Sequence, residues 1–188
     1  YGSGIVLNYS GAVIKNNIIA YHTGGEDYGG GTIWCNGNGT DPKIIENNTI
    51  VNNSTTNGGA IRIWASTTVN ILNCIFWNNT VNGASQINGN TANVSYSNVE
   101  GGFSGTGNID EEPLFETSHF TLSDLSPCID SGNPDSIYYD PEDLDNPGYA
   151  LFPAKGELLN DMGGYGGMGC MILPEPILGI NDDQLNND

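Results

Sequence analysis

Apolar residues in the first hundred positions of this chain recur in one short phrase, apolar-x-Asn-x-x-apolar, rather than on one face of a helix. The phrase reads Ile14-Lys15-Asn16-Asn17-Ile18-Ile19, then Ile45-Glu46-Asn47-Asn48-Thr49-Ile50, then Ile71-Leu72-Asn73-Cys74-Ile75-Phe76, and fades at Val94-Ser95-Tyr96-Ser97-Asn98-Val99. Successive copies start 31, 26 and 23 residues apart. A second apolar run precedes each copy, at Gly4-Ile5-Val6-Leu7, Gly31-Thr32-Ile33-Trp34-Cys35, Ala60-Ile61-Arg62-Ile63 and Ser85-Gln86-Ile87. Alternation within these runs predicts short strands, with Ile5, Ile33, Ile61 and Ser85 in one inward column and Leu7, Cys35, Ile63 and Ile87 in the other. The outward column is then Val6, Trp34, Arg62 and Gln86. Gly and Asn clusters between the runs, such as Asn36-Gly37-Asn38-Gly39, are turn chemistry.

Repeats of this length could be helical, but no window sustains a 3.6-residue period and Ala, Leu, Lys and Glu are scarce. Short strands broken by Gly and Asn predict instead a coil in which each turn stacks its strands on the turn before, an all-β parallel solenoid of about four rungs. Asparagine at a strand corner tolerates left-handed backbone, and stacked amides can bond along the coil. Asn16, Asn47 and Asn73 are the predicted ladder.

At the phrases Gly29-Gly30-Gly31-Thr32-Ile33-Trp34-Cys35 and Glu46-Asn47-Asn48-Thr49-Ile50-Val51-Asn52-Asn53, residues 1–108 resemble the bacterial secreted proteins with right-handed parallel β-helix repeats, the fold of pectate lyases. Residues 109–173 resemble the ending of such proteins in three successive phrases: Pro113-Leu114-Phe115, Ser126-Pro127-Cys128-Ile129-Asp130-Ser131-Gly132, and Asp161-Met162-Gly163-Gly164-Tyr165-Gly166. This part is expected to cap the coil, with Leu114, Phe115, Phe120 and Leu122 plugging the last rung, whose open strand edges would otherwise template aggregation. Residues 174–188 read as an extended linker and resemble the stretch that joins such proteins to a type IX secretion sorting domain. An extracellular or cell-surface location is what that resemblance implies. The chain opens inside the pattern at Tyr1, so further rungs are expected upstream.

Charge divides the chain in the same place. Residues 1–100 carry five acidic and three basic side chains, whereas residues 101–188 carry 17 acidic side chains and only Lys155, within a total net charge of −18. Such a surface repels nucleic acid and anionic lipid. No apolar run is long enough to span a bilayer, so membrane insertion is not expected. In the acidic part, Asp135, Asp140, Glu142, Asp143, Asp145 and Asp161 are candidate oxygen ligands for a structural Ca²⁺, although acidic runs are more often simply solvated. A disulfide between Cys128 and Cys170 would pin the same segment, while Cys35 and Cys74 map to different places and read as buried free thiols. No cysteine pair has zinc spacing.

No catalytic set assembles from the sequence. A lyase base would have to come from Lys15, Lys43, Arg62 or Lys155, and Arg62 reads better as a cation–π partner of Trp34 one rung away. Glu26, Asp27, Asp41, Glu46 and Glu100 lie mostly at turns and do not pair in an outward column, as a hydrolase would need. His22 and His119 lack a nucleophile. Trp34, Trp64 and Trp77, with Arg62, are candidates for stacking on sugar rings. The expected function is a non-catalytic extracellular or surface module, such as a stalk, adhesin or filament subunit. Its expected partners are a polysaccharide, another surface protein, or copies of itself stacked through the coil ends. The competing expectation is the C-terminal end of a polysaccharide lyase or glycoside hydrolase whose catalytic rungs lie upstream.

Overall fold

A computed structural model of the chain describes residues 4–24, 30–37, 42–56, 58–64, 67–80, 85–89 and 91–172. Alternating apolar runs become strands because each places one residue inward and the next outward. The first rung holds β1 (Ile5–Asn8), β2 (Val13–Lys15), β3 (Ile18–Ala20) and β4 (Thr23–Gly24). The second holds β5 (Ile33–Asn36), β6 (Lys43–Glu46), β7 (Thr49–Val51) and β8 (Ser54–Thr55). Next come β9 (Ile61–Ile63), β10 (Val69–Leu72) and β11 (Ile75–Trp77), and last β12 (Ile87–Asn88), β13 (Ala92–Ser95) and β14 (Asn98–Val99). Strands stack in parallel as β1-β5-β9-β12, β2-β6-β10-β13, β3-β7-β11-β14 and β4-β8, so the chain is a parallel β-solenoid of about four rungs.

Three inward columns fill the coil. Ile5, Ile33, Ile61 and Ile87 align in the first sheet, Ile14, Ile45, Ile71 and Val94 in the second, and Ile19, Ile50, Phe76 and Val99 in the third. They form one core in which each fully buried isoleucine contributes about 2 kcal/mol. The fourth rung departs from the sequence expectation by two residues: Ile87 rather than Ser85 stacks on Ile61, and Asn88 rather than Gln86 continues the outward column under Arg62. Gln86 is instead drawn inward, where its amide bonds Asn79 and Glu100 and its carbonyl accepts from Ile61 N–H at 3.0 Å.

Corners carry the asparagines, as expected, with φ of 53° at Asn16, 49° at Asn47 and 54° at Asn73. The ladder itself lies one residue further on. Asn48 Oδ1 accepts from Asn17 N–H at 3.0 Å, Cys74 Sγ from Asn48 N–H at 3.4 Å, Ser97 Oγ from Cys74 N–H at 3.0 Å and Asn108 Oδ1 from Ser97 N–H at 3.0 Å. A second corner repeats the device, Asn53 accepting from His22 N–H and Asn79 from Asn53 N–H, each at 3.0 Å. Within the predicted ladder only Asn73 and Asn47 bond each other, at 3.4 Å. The positive φ turns these side chains away from the coil interior, toward the C-terminal segment.

Much of that segment lies along the side of the coil as well as beyond its last rung. The coil is closed after β14 by residues 100–109, with Phe103 packed against the inner core and Val99 N–H bonded to Ile109 O at 2.9 Å. Of the four residues expected to plug the end, Leu114 is exposed. Phe120 and Leu122 are buried on the outer face of the third sheet with Val51, Ile75, Cys128 and Met162, and Phe115 packs against that cluster. Residues 160–169 then run as a strap back along the corner. Gly163 N–H bonds Asn73 O at 2.8 Å on the third rung, and Gly164 N–H bonds Thr49 Oγ1 at 2.9 Å on the second. Asn16 Nδ2 donates to Gly164 O and Gly166 O, at 3.0 and 2.7 Å, on the first. Glycine is required within the strap at Gly166, where a Cβ would overlap the backbone oxygen of Asp161.

Candidate functional site

The outward columns decide which predicted side chains can meet a ligand. Trp34 and Arg62 are aligned in the first sheet, as expected, but Trp34 is only 7% exposed and cannot serve as an open stacking platform. Arg62 lies over the ring of Trp64, 5.0 Å from its centroid. This is a cation–π pair on an exposed surface. Trp77 belongs to the third sheet. The four predicted sugar-binding residues therefore do not form one surface.

Trp77 has other neighbours. Where β11 ends, its half-buried indole lines a cleft of about 310 Å³ together with Val51, Asn52, Asn78, Glu112 and Phe115. Asn52 and Asn78 occupy the second corner on adjacent rungs, with φ of 55° and 52°, and Asn78 Nδ2 donates to Asn52 Oδ1 at 2.6 Å. Phe115 is steadied from behind by an edge-on contact with Phe120, ring centroids 5.3 Å apart. The cleft is thus lined by two aromatic rings, two amides and one carboxylate. Asn52 and Asn78 are legible in the repeat only as corner residues, and nothing in the pattern marks Glu112.

The six carboxylates predicted for calcium do not gather into one cluster, although Asp140 and Asp161 are neighbours. Asp135, Asp143 and Asp140 are engaged with different backbone segments: Asp135 accepts from Ile137 N–H at 3.2 Å, Asp143 from Asp145 N–H at 3.0 Å, and Asp140 from Asp161 N–H at 3.0 Å and from Gly167 N–H. Asp161 accepts from Asp130 N–H at 2.9 Å and Lys155 N–H at 2.8 Å. Only Asp140 and Asp161 are buried, and their oxygens are spent on anchoring the strap. Burial pushes the Asp140 carboxyl up to about 7, and burial together with the Asp140 charge raises Asp161 well above the usual carboxylate range. No group of three or more His, Cys, Asp or Glu suited to a metal ion occurs among the described residues. The donor set does not fit a calcium shell.

All four cysteines are free and buried, so the expected Cys128–Cys170 disulfide is not formed. Cys128 Sγ accepts from Asn98 Nδ2 at 3.1 Å on the fourth rung, whereas Gly169, next to Cys170, abuts Asn16 on the first. Three strand spacings, about 14 Å, separate those rungs, beyond disulfide reach. Cys35 and Cys74 are buried thiols, as expected, each pushed up to about 12 chiefly by burial.

Proton-transfer chemistry is poorly supplied. Lys15 is paired with Glu46, and Lys155 with Glu116 and Asp124. Lys43 faces inward in β6, fully buried, where an outer-face substrate could not reach it. Glu100 caps Asn78 N–H at 2.8 Å and bonds Gln86, while Glu26, Asp27 and Asp41 lie outside the described residues. No described helix is long and apolar enough to cross a membrane. Comparison with known proteins returned no matching family model, no matching curated protein and no matching solved structure.

Proposed function

We propose that the chain is a non-catalytic extracellular or cell-surface β-solenoid module that binds neutral carbohydrate in the Trp77 cleft. The observation that carries this reading is the lining itself. An indole face suits the C–H face of a pyranose, and the Asn52 and Asn78 amides with the Glu112 carboxylate suit its hydroxyl groups. Neutral sugars are favoured over uronates because Glu112 and the net charge of −18 repel carboxylates. The resemblance of the repeat and closing phrases to secreted, pectate-lyase-like β-helix proteins with type IX sorting supports the extracellular placement. Titration calorimetry against a panel of neutral oligosaccharides tests the site: Trp77→Ala should weaken the best ligand roughly tenfold or more. Equal binding by wild type and W77A would remove this cleft from consideration. Release of unsaturated or reducing-end products from polysaccharide by the chain alone would overturn the non-catalytic reading.

A further inference from the structure

Hydrogen-bonding capacity in the Trp77 cleft is unevenly spent. Asn52 Oδ1 accepts from Asn78 Nδ2 at 2.6 Å, which leaves Asn78 Oδ1 as an acceptor in the lining and Asn52 Nδ2 as a donor. The Asn78 N–H donates to Glu100 Oε2 at 2.8 Å, and the Asn52 N–H to Trp77 O at 3.3 Å. Glu112 is exposed in the lining and makes no hydrogen bond or ion pair with any described residue. Acceptor positions therefore outnumber the remaining amide hydrogens, since a carboxylate offers about four lone pairs and an amide oxygen about two.

Charge in the cleft is uncompensated as well. All four Lys and Arg side chains are placed elsewhere: Lys15 on Glu46, Lys155 on Glu116 and Asp124, Arg62 over Trp64, and Lys43 buried inside the coil. Asp110 and Glu111 directly precede Glu112, and Glu100 is bonded to Asn78, so the potential here is negative and draws in cations. The two aromatic rings of the same lining, Trp77 and Phe115, have faces that attract cations as well as C–H groups.

We infer that the ligand of this cleft is a sugar bearing a free, protonated amine. An ammonium group donates three hydrogen bonds, accepts none and carries a charge. It answers an unpaired carboxylate, an amide oxygen and an aromatic face together, whereas a hydroxyl also calls for donors and brings no charge. The inference rests on the sugar-binding reading above and narrows it. Neutral sugars bind through Trp77 and the amides alone, and the amine against Glu112 makes an unacetylated hexosamine the preferred ligand. A cleft of about 310 Å³, small among ligand pockets, suits one such unit.

Titration calorimetry at about pH 6, where such an amine is charged, compares a glucosamine trisaccharide with its N-acetylated counterpart and with trilysine. The glucosamine trisaccharide should bind roughly tenfold more tightly than the N-acetylated one, and more tightly than trilysine. Glu112→Gln alters an exposed side chain without partners, so it is compatible with folding. It should bring the two sugars to within about twofold of each other without weakening the N-acetylated one. Asp145→Asn, at an exposed carboxylate outside the cleft, should leave the preference intact, and W77A should weaken both sugars. Two sugars bound alike, both weakened by W77A, would leave sugar binding standing and overturn the role of the amine. Binding of neither sugar, or of both regardless of W77A, would remove the sugar-binding reading and this inference with it. A preference that persists in E112Q belongs to the acidic surface at large, and trilysine binding as tightly as the glucosamine trisaccharide assigns the cleft to lysine-bearing peptide; either result overturns the inference.

Discussion

Asparagine doublets at the corners divide their labour by backbone conformation. In Asn47-Asn48 the first residue takes positive φ and faces the strap, and the second points in and bonds the neighbouring rungs. Asn53 shows what the inward position is worth, because its amide donates to Ile19 O, Val51 O and Asn79 Oδ1 while its oxygen caps His22 N–H. Asn53→Ala strands buried carbonyls on two rungs and should cost about 2–4 kcal/mol in urea unfolding, against less than about 0.5 kcal/mol for Asn70→Ala on the exposed face. Similar losses at the two positions would dismiss the ladder as a source of stability. The sequence makes the corners plain and hides which member of each doublet turns inward, since both are chemically the same residue. Composition cannot report a φ angle. Gly166 belongs to this scale too: a Cβ there would overlap Asp161 O, so Gly166→Ala should destabilise by about 2 kcal/mol or more, whereas Gly101, with nothing within 4 Å, should lose only the φ-related cost of about 1 kcal/mol.

Among elements, the strap is the one whose position could not be read beforehand. Its phrases mark an ending, and an ending suggests a lid, but the apolar residues that would have formed the lid are matched to the outer face of the third sheet. Ile18, Val51, Ile75 and Trp77 are outward residues too apolar for solvent, and that excess is the sequence signal for a lateral cover. The fourth-rung register is hidden in the sequence for a related reason, as Gln86 is buried against Asn79 and Ile87 takes the place expected of Ser85 beside Ile61. Asp140 and Asp161 link the strap to pH. Both carboxyls have folded pKa values above their unfolded ones, so the folded state holds protons more tightly. Their contribution to stability is complete below the ordinary carboxylate range and lost as pH rises toward about 7, where Asp140 titrates. Thermal melting should therefore be higher at pH 5 than at pH 8, and Asp140→Asn should shrink the difference. An equal difference in D140N would assign the pH effect to other carboxylates.

For the whole molecule, the segregation of charge matters more than its sum. The coil is nearly neutral, while residues 101–188 hold 17 acidic side chains against Lys155, and the described part of that stretch, up to residue 172, runs along the flank of the coil. Self-repulsion is therefore concentrated where the strap must stay seated, and moderate NaCl should raise the melting temperature by screening it. Because the carboxylates share no coordination site among the described residues, millimolar CaCl₂ should do no more than NaCl of equal ionic strength. A larger, saturable shift with calcium would mean that a site is assembled after all.

The strap also alters how such a coil can come into being. A solenoid whose rungs touch only their neighbours can add turns one at a time as the chain emerges from the ribosome. Here the Asn16 amide waits for Gly166, 150 residues later. The first rung stays incomplete until almost all of the described chain has been made. Closing so long a loop late should slow the final step and fuse the rungs into one cooperative unit, so that rungs one to three melt together rather than fraying from an end.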